Sequence, residues 1–131
     1  MKAILFDFVN VVYNPRERIL NSDVLSLLVD IKEQCIPLYL FTNVSKESLD
    51  KYDEELHFKE YFVSFITNDI YLKPDIRAYE KLQDITGFKY GDMLLVDDNQ
   101  QNINTCKELG MDGIVFSTAM NLREYIEERI K

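Results

Sequence analysis

Short apolar runs alternate along the chain with longer segments in which apolar residues recur at helical spacing. The apolar runs predict five buried strands at Ala3–Phe6, Leu38–Phe41, Phe62–Ile66, Met93–Val96 and Ile114–Phe116. The periodic segments predict helices over residues 22–35, 45–56, 74–86, about 100–109 and 122–130. Buried strands that alternate with amphipathic helices are typical of a parallel sheet covered by helices on both faces. The pattern therefore predicts a doubly wound α/β fold of three layers, with about five strands in a single domain over residues 1–131.

The composition fits a folded domain and argues against several kinds of partner. Hydrophobic residues make up 47% and charged residues 29% of the 131 residues, enough to bury a core without disulfides. Fifteen Lys and Arg residues against 23 Asp and Glu residues give a net charge of −8, which argues against nucleic acid or an anionic membrane as a partner. No apolar run approaches the ~20 residues that cross a bilayer, and no cleavage site follows the apolar N-terminus.

The cysteines and the histidine give no sign of a structural zinc site, because the sequence has neither a CxxC pair nor a cluster of Cys and His. Cys35 and Cys106 lie in segments predicted to be helical. We expect two reduced core thiols rather than a disulfide, and a cytoplasmic protein. His57 precedes the third predicted strand, so we expect a surface or turn position at the end of the sheet opposite the carboxyl ends.

Polar residues follow four of the five predicted strands. Ligands of such folds bind beyond the carboxyl ends of the strands, so these residues are the candidates for chemistry. They are Asp7, Thr42, Asn43, Asn68, Asp69, Asp97 and Asp98. Carboxylates that follow three strands converge on one edge, which in an acidic chain indicates a bound cation. A hard divalent cation such as Mg²⁺ prefers carboxylate oxygens and water.

The same residues also have purely structural interpretations. Asp7 could end the first strand in a turn. One of Asp97 and Asp98 could cap the helix that begins near Asn99. Lys73, just ahead of a predicted helix, could be solvated. The residues taken singly leave these alternatives open.

Four segments in order resemble the four motifs of the haloacid dehalogenase superfamily. They are LFDFVNVVYNP, LYLFTN, LKPD and LLVDDNQQNI. The resemblance covers nearly the whole chain, from residue 3 to about residue 116. Each segment alone is a weak signal, but their order and their positions after the expected elements make the resemblance specific. The family has a doubly wound sheet, and most of its members are Mg²⁺-dependent phosphatases and phosphotransferases.

The resemblance implies a role for each matching residue. Asp7 matches the nucleophile, which accepts the phosphoryl group as an aspartyl phosphate. Thr42 matches the hydroxyl that holds a phosphoryl oxygen, and Lys73 matches the lysine that pairs with the nucleophile and the transferring group. Asp98 aligns with the main metal ligand of the fourth motif and Asp97 with its acidic neighbour. Mg²⁺ would bridge Asp7, Asp98 and the phosphate.

The first motif departs from the pattern of the phosphatases. They carry a second Asp two residues after the nucleophile, which protonates the leaving group and then activates water, but here that position is Val9. Val9 can still offer its backbone carbonyl to the metal, although it cannot transfer a proton. Losing a general acid typically costs 10²–10⁴ in rate. The resemblance further implies that Asn43, with Thr42 and Lys73, contacts the substrate.

The spacing between the motifs leaves no room for the cap domain that many family members carry. We therefore expect an open site that acts on a phosphorylated small molecule or a large phosphorylated substrate, or that uses a protein partner as its lid. The resulting hypothesis is a slow, capless, Mg²⁺-dependent hydrolase. The alternative is a catalytically silent member that binds a phosphorylated ligand or protein. A carbon-halide or phosphonate hydrolase is a third and weaker interpretation.

Three further positions near the motifs carry weaker signals. Asn102 lies four residues after Asp98, where the family often has a second acid, and could hydrogen-bond a water on the metal or simply belong to the first turn of a helix. Asn68 and Asp69 fit a plain turn better than the rim of the site. Glu17 is the nearest acid downstream of Val9, but a solvated side chain is the expected state.

Overall fold

The computed structural model describes residues 1–130, and within them five parallel strands form one sheet. In chain order the strands are β1 (Ala3–Phe6), β2 (Tyr13–Asn14), β3 (Ile19–Leu20), β4 (Leu38–Thr42), β5 (Ser64–Thr67), β6 (Met93–Asp97) and β7 (Asp112–Val115). The order across the main sheet is β5-β4-β1-β6-β7, and β2 and β3 pair separately as a hairpin. This order places β1 at the centre of the sheet, between β4 and β6.

Helices follow the strands of the main sheet along the chain. They are α1 (Ser22–Glu33), α2 (Lys46–Leu56), α3 (Ile76–Tyr79), α4 (Leu82–Thr86), α5 (Gln100–Glu108) and α6 (Ala119–Ile130). Among these helices of residues 1–130, none combines the length and the apolar character that a transmembrane segment requires.

Alternate residues of the central strands enter two hydrophobic cores on opposite faces of the sheet. In β1, Ile4 and Phe6 join the core that α1, α2 and α6 cover, whereas Ala3 and Leu5 join the core that α3, α4 and α5 cover. Because both faces are buried, the strand is apolar at every position rather than at alternate ones. The predicted three-layer, doubly wound fold is confirmed.

The prediction of one continuous helix over residues 74–86 is wrong. Asp75 caps the short helix α3 by accepting a hydrogen bond from a backbone N–H, and Gly87 ends the separate helix α4 in a left-handed conformation. Ile76 and Ile85 supplied part of the helical spacing, but they are 49% and 47% exposed. The spacing was misleading because only the middle of the apparent apolar stripe faces the core.

Two strands lie at positions slightly different from the predicted ones. The third apolar run, Phe62–Ile66, predicts a strand that begins two residues earlier than β5, and the fifth, Ile114–Phe116, predicts one that begins two residues later than β7. Both are edge strands, whose bounds follow the backbone pairing with β4 and β6. Polar residues are tolerated at an edge, so the apolar run does not mark the ends of the strand.

The two cysteines differ, contrary to the expectation of two core thiols. Cys106 is buried in α5, but Cys35 is exposed. Cys35 follows α1 with a left-handed backbone (φ 62°), which turns the chain out of the helix before the thiol can face the core. His57 ends α2 in the same backbone conformation and is exposed, which agrees with the expected turn position.

The predicted absence of a cap domain is confirmed within residues 1–130. Between β1 and β4 the chain adds only the hairpin of β2 and β3 and helix α1, and between β4 and β5 only α2 and a short turn. Tyr13 anchors the hairpin, because its ring stacks on Phe8 at 5.2 Å and packs against Tyr52 at 5.0 Å. The carboxyl edge of the sheet is therefore bordered by a small hairpin rather than by a second domain.

Close packing of β7 against α5 gives a test of the fold. A Cβ atom added at Gly113 would lie 2.5 Å from the Cys106 sulfur and 3.1 Å from a methyl group of Ile103. We expect Gly113→Ala to lower the free energy of unfolding by about 1–3 kcal/mol, measured by urea denaturation, as overpacking typically does. Adding Cys106→Ala should recover part of this loss. Gly91→Ala is the matched control, since its nearest neighbour would be 4.0 Å away, and an equal loss at Gly91 would contradict the packing argument.

Candidate active site

Three acidic side chains meet at the carboxyl edge of the sheet, as the sequence predicts. Asp7 directly follows β1, Asp97 is the last residue of the neighbouring strand β6, and Asp98 comes next. One carboxylate oxygen from each lies within 4.8 Å of the others. Their surroundings differ, because Asp97 is fully buried, Asp7 is half-buried and Asp98 is exposed.

The Lys73 ammonium compensates part of this negative charge from inside the protein. Its side chain is 1% exposed, and Nζ donates to Asp97 Oδ2 at 2.7 Å and to Asp7 Oδ1 at 3.2 Å. A third hydrogen bond goes to the Phe41 backbone carbonyl at 2.7 Å. An ammonium group has three N–H donors, so these contacts use all of them. The solvated interpretation of Lys73 is therefore wrong.

Asp97 is held in place by the protein on several sides. Besides Lys73, its carboxylate accepts hydrogen bonds from the backbone N–H of Asn99 at 2.9 Å and from the Asn102 amide at 3.1 Å. Neither aspartate caps α5, contrary to the structural interpretation, because the Asn99 side chain accepts the capping hydrogen bonds of that helix. Asp98 is the exposed acid of the group, and its assignment as the main metal ligand stays a prediction.

The donor set of the cluster fits a hard divalent cation. Carboxylate oxygens are the groups that Mg²⁺ prefers, and the three acids carry more negative charge than Lys73 neutralises. The buried Asn102 side chain has an oxygen, Oδ1, without a hydrogen-bond partner among residues 1–130. Because the same amide contacts Asp97, this acceptor is suited to a water molecule on an ion held by the cluster, since such a water donates. Val9 lies half-buried in the turn after β1, and the use of its carbonyl stays a prediction.

Burial makes Asp7 a weaker acid than usual. Desolvation raises the pKa of Asp7 from 3.8 to about 7, and the Asp97 charge adds to this rise, while the Lys73 ammonium opposes it. The cause is that an ionised carboxylate loses hydration when it is enclosed. Asp7 therefore keeps its proton to a higher pH than an exposed aspartate does, and a cation bound at the cluster would compete with that proton.

The second motif places Thr42 and Asn43 beside these acids. Thr42 ends β4 and is buried, and its hydroxyl oxygen accepts a hydrogen bond from the Val44 backbone at 3.1 Å, which leaves the hydroxyl hydrogen to donate. The Asn43 carboxamide is occupied by the backbone of Lys73, with Oδ1 accepting at 2.8 Å and Nδ2 donating at 3.1 Å. This contact could not be predicted from the sequence, because nothing in the pattern links residues that lie 30 positions apart. A substrate contact of Asn43 stays a prediction.

The remaining candidates lie around the edge of the site. Asn68 is buried and donates from Nδ2 to Asn43 Oδ1 at 3.0 Å, so it is more than a plain turn residue. Asp69 accepts from the Lys46 backbone and the Thr67 hydroxyl, and takes part in the local turn. Glu17 is exposed in the hairpin between β2 and β3, as expected of a solvated acid.

Comparison with known proteins identifies the family. The sequence model of the haloacid dehalogenase-like hydrolases matches residues 14–116. The chain belongs to this family. Since the match begins after Asp7, the assignment of this haloacid dehalogenase-like protein's nucleophile relies on the first-motif resemblance and on the site geometry.

The protein is also similar to a curated relative, human (Homo sapiens) magnesium-dependent phosphatase 1. The two are 34% identical over 62 residues, which is 47% of this chain and 35% of the relative. The match therefore spans only about a third of the relative's length.

Solved structures share the fold of the haloacid dehalogenase-like protein, two of them over nearly its whole length. A hydrolase from Streptococcus pneumoniae has a TM-score of 0.82 at 16% identity, over 97% of this chain and 100% of its own. A HAD-superfamily hydrolase from Ehrlichia chaffeensis has a TM-score of 0.79 at 15% identity, over 99% of this chain and 98% of its own. A HAD-family enzyme from Bacteroides thetaiotaomicron, in complex with magnesium and inorganic phosphate, has a TM-score of 0.62 at 18% identity, over 75% of this chain and 53% of its own. These identities support the shared fold alone.

The raised pKa of Asp7 predicts how the metal-free protein responds to pH. The folded state holds the Asp7 proton up to about pH 7, whereas the unfolded chain releases it near 3.8. Raising the pH through this window therefore removes stability, because the folded state binds the extra proton. Asn at position 7 has the shape of the protonated acid but does not titrate.

We expect Asp7→Asn to be more stable than the unchanged protein in a chelating buffer. The difference in the free energy of unfolding should grow by roughly 2 kcal/mol between about pH 5 and 7 and then level off. Urea denaturation at several pH values measures it. A difference that is constant across this range would contradict the raised pKa.

Proposed function

We propose that the protein is a Mg²⁺-dependent phosphatase or phosphotransferase that carries the phosphoryl group on Asp7. The observation that carries this proposal is the buried Lys73 ammonium, which contacts both Asp7 and Asp97 while Asp98 faces solvent beside them. An enclosed cation fixed next to a carboxylate is suited to stabilising charge on a transferring phosphoryl group. Family membership, the phosphatase relative and the magnesium and phosphate bound to a similar fold support the proposal.

Each residue has a separate task in this reaction. A carboxylate oxygen of Asp7 attacks phosphorus, the bond to the leaving oxygen breaks, and an aspartyl phosphate forms. The Thr42 hydroxyl donates to a phosphoryl oxygen, and Lys73 fixes the orientation of Asp7. Asp7, Asp98 and the Val9 carbonyl would hold Mg²⁺, with Asp97 alongside, and the ion would neutralise charge on the phosphoryl oxygens. Water then attacks the aspartyl phosphate, releases phosphate and restores the carboxylate.

Turnover is proposed to be slow because Val9 cannot protonate the leaving group. The departing alkoxide must take its proton from water at the open edge of the site. Absence of a general acid typically costs 10²–10⁴ in rate, and the loss is greatest for leaving groups of high pKa. The protein should therefore favour activated phosphate esters and acyl phosphates, whose leaving groups have a low pKa, over alkyl phosphates.

The open edge favours a large phosphorylated substrate or a protein partner that acts as a lid. The loop that leads into Lys73 exposes large apolar side chains, with Ile70 82%, Leu72 53% and Tyr71 42% exposed. Exposed apolar groups beside a reaction site are suited to contacts with a substrate or partner that is itself partly apolar. A phosphorylated small molecule would use Thr42 and Lys73 without this loop. The absence of nucleic acid and membrane partners stays a prediction.

A silent phosphate-binding protein is the second candidate, and Val9 is the observation that favours it. The site keeps its acids, its hydroxyl and its lysine but lacks the group that transfers protons. Such a protein would bind a phosphorylated ligand through Thr42, Lys73 and the metal without turning it over.

Mg²⁺ binding should depend on Asp98. Calorimetry on the metal-free protein should show binding that weakens by more than about tenfold in Asp98→Asn, because a charged ligand is replaced by a neutral one while the exposed position leaves the core unchanged. Asp84→Asn, an exposed acid on α4, is the matched control and should bind normally. Unaltered Mg²⁺ binding by Asp98→Asn would show that Asp98 is not a metal ligand.

Restoring the missing carboxylate tests the proposed chemistry directly. With saturating Mg²⁺, Val9→Asp should raise hydrolysis of an alkyl phosphate by something in the ~10²–10⁴ range, and that of p-nitrophenyl phosphate by less, because nitrophenolate needs little protonation. Val9→Asn is the control, because Asn has the shape of Asp but cannot act as an acid, so it should give no such increase. Asp7→Asn should abolish all turnover. If the unchanged protein and Val9→Asp are both inactive on every ester with metal bound, the silent binding protein becomes the better hypothesis.

A further inference from the structure

Lys73 occupies an unusual position for a side chain that must be placed accurately. It stands at the end of the loop Asp69–Leu72, which follows β5 and exposes most of its side chains. Ile70 is 82% exposed, so core packing does little to fix this loop. Lys73 Nζ must nevertheless stay within 3.2 Å of Asp7 and 2.7 Å of Asp97. Something other than the loop has to hold the Lys73 backbone.

The Asn43 carboxamide makes that connection. Its Oδ1 accepts from the Lys73 backbone N–H at 2.8 Å, and its Nδ2 donates to the Lys73 backbone carbonyl at 3.1 Å. The same Oδ1 accepts from Asn68 Nδ2 at 3.0 Å, and the Asn68 backbone N–H donates to the carbonyl of Thr42 at 3.0 Å. Asn68 precedes the loop and Lys73 follows it, so one side chain joins both ends of the loop.

We propose that Asn43 is a positioning residue that closes the base of the loop Asp69–Leu72 and thereby fixes Lys73 against Asp7 and Asp97. Asn43 directly follows β4, which pairs with the strand that precedes Asp7. Its hydrogen bonds therefore connect the loop to the centre of the sheet. An asparagine suits this role because one planar group supplies both an acceptor and a donor at short reach. The part of this proposal that concerns turnover rests on the proposed function, whereas the part that concerns Lys73 does not.

Chemical labelling tests the positioning without any activity. The Lys73 side chain is 1% exposed and should resist an amine-acylating reagent, whereas Lys51, which is 73% exposed, serves as the internal reference. In Asn43→Ala, the labelling of Lys73 relative to Lys51, measured by mass spectrometry, should rise by about tenfold or more, since two hydrogen bonds to its backbone are lost. Asn43→Asp keeps the acceptor but loses the donor, so it should give an intermediate value and serves as the second variant if Asn43→Ala does not fold.

Ser45→Ala is the matched control in the same segment. Ser45 caps α2 by accepting from the Ser48 backbone at 3.2 Å, so its loss should lower stability without touching Lys73. Lys73 should stay protected in this variant. Protection of Lys73 in Asn43→Ala, or equal labelling in Ser45→Ala, would overturn the proposal.

Kinetics on any ester that the protein hydrolyses separate positioning from substrate binding. Asn43→Ala should lower kcat by about tenfold or more with KM little changed, because Lys73 would act in the transition state. A raised KM with unchanged kcat would instead assign Asn43 to substrate contact and contradict the proposal. If the protein hydrolyses no ester, the proposed function fails, and the labelling result alone decides the role of Asn43.

Discussion

The ion pair between Lys73 and Asp97 is the contact on which the carboxyl edge of this protein depends. Both side chains are buried, and their 2.7 Å hydrogen bond compensates two charges that would each be costly to enclose alone. The pair also fixes the Lys73 ammonium beside Asp7. That positive charge opposes the rise in the Asp7 pKa that burial causes. Removing either partner would leave a buried charge without its shortest ion-pair contact, so the stability of this edge and the arrangement of the candidate site are linked.

The topology explains why these groups meet. Strand β1, which precedes Asp7, lies between β4 and β6, so the residues that follow the three strands converge. Thr42 ends β4 and Asp97 ends β6, each one strand away from Asp7. Lys73 does not follow a strand directly and reaches the acids from a loop on the far side of β4, through a side chain that also donates to the carbonyl of Phe41 in β4. A parallel sheet can therefore assemble the acids by itself, but the cation has to be brought in by side-chain contacts.

The sequence was informative where burial and strand order decide the structure. Continuous apolar strands such as Ala3–Phe6 indicate a sheet covered on both faces, and the order of strands and acids then predicts the convergence of Asp7, Asp97 and Asp98. It was uninformative where a contact depends on three-dimensional proximity alone, as between Asn43 and Lys73. It was misleading where apolar residues at helical spacing are exposed, as at Ile76 and Ile85. Hydrophobic periodicity indicates which positions along an element tend to be buried. It does not indicate which polar groups form hydrogen bonds with one another.

Charge balance at the site connects the raised pKa of Asp7 with the loss of an acid at Val9. Three carboxylates facing one ammonium leave two negative charges uncompensated, so either a proton on Asp7 or a divalent cation has to make up part of the difference. The proposed function needs Asp7 to attack as a carboxylate, and its raised pKa disfavours that ionised form in the metal-free site. A cation bound at the cluster would favour the ionised form of Asp7. It would not supply a proton to the leaving group, because Val9 has no group to carry one. For the proposed phosphoryl transfer, the side chains of the site would therefore meet the electrostatic requirement, whereas position 9 supplies no proton.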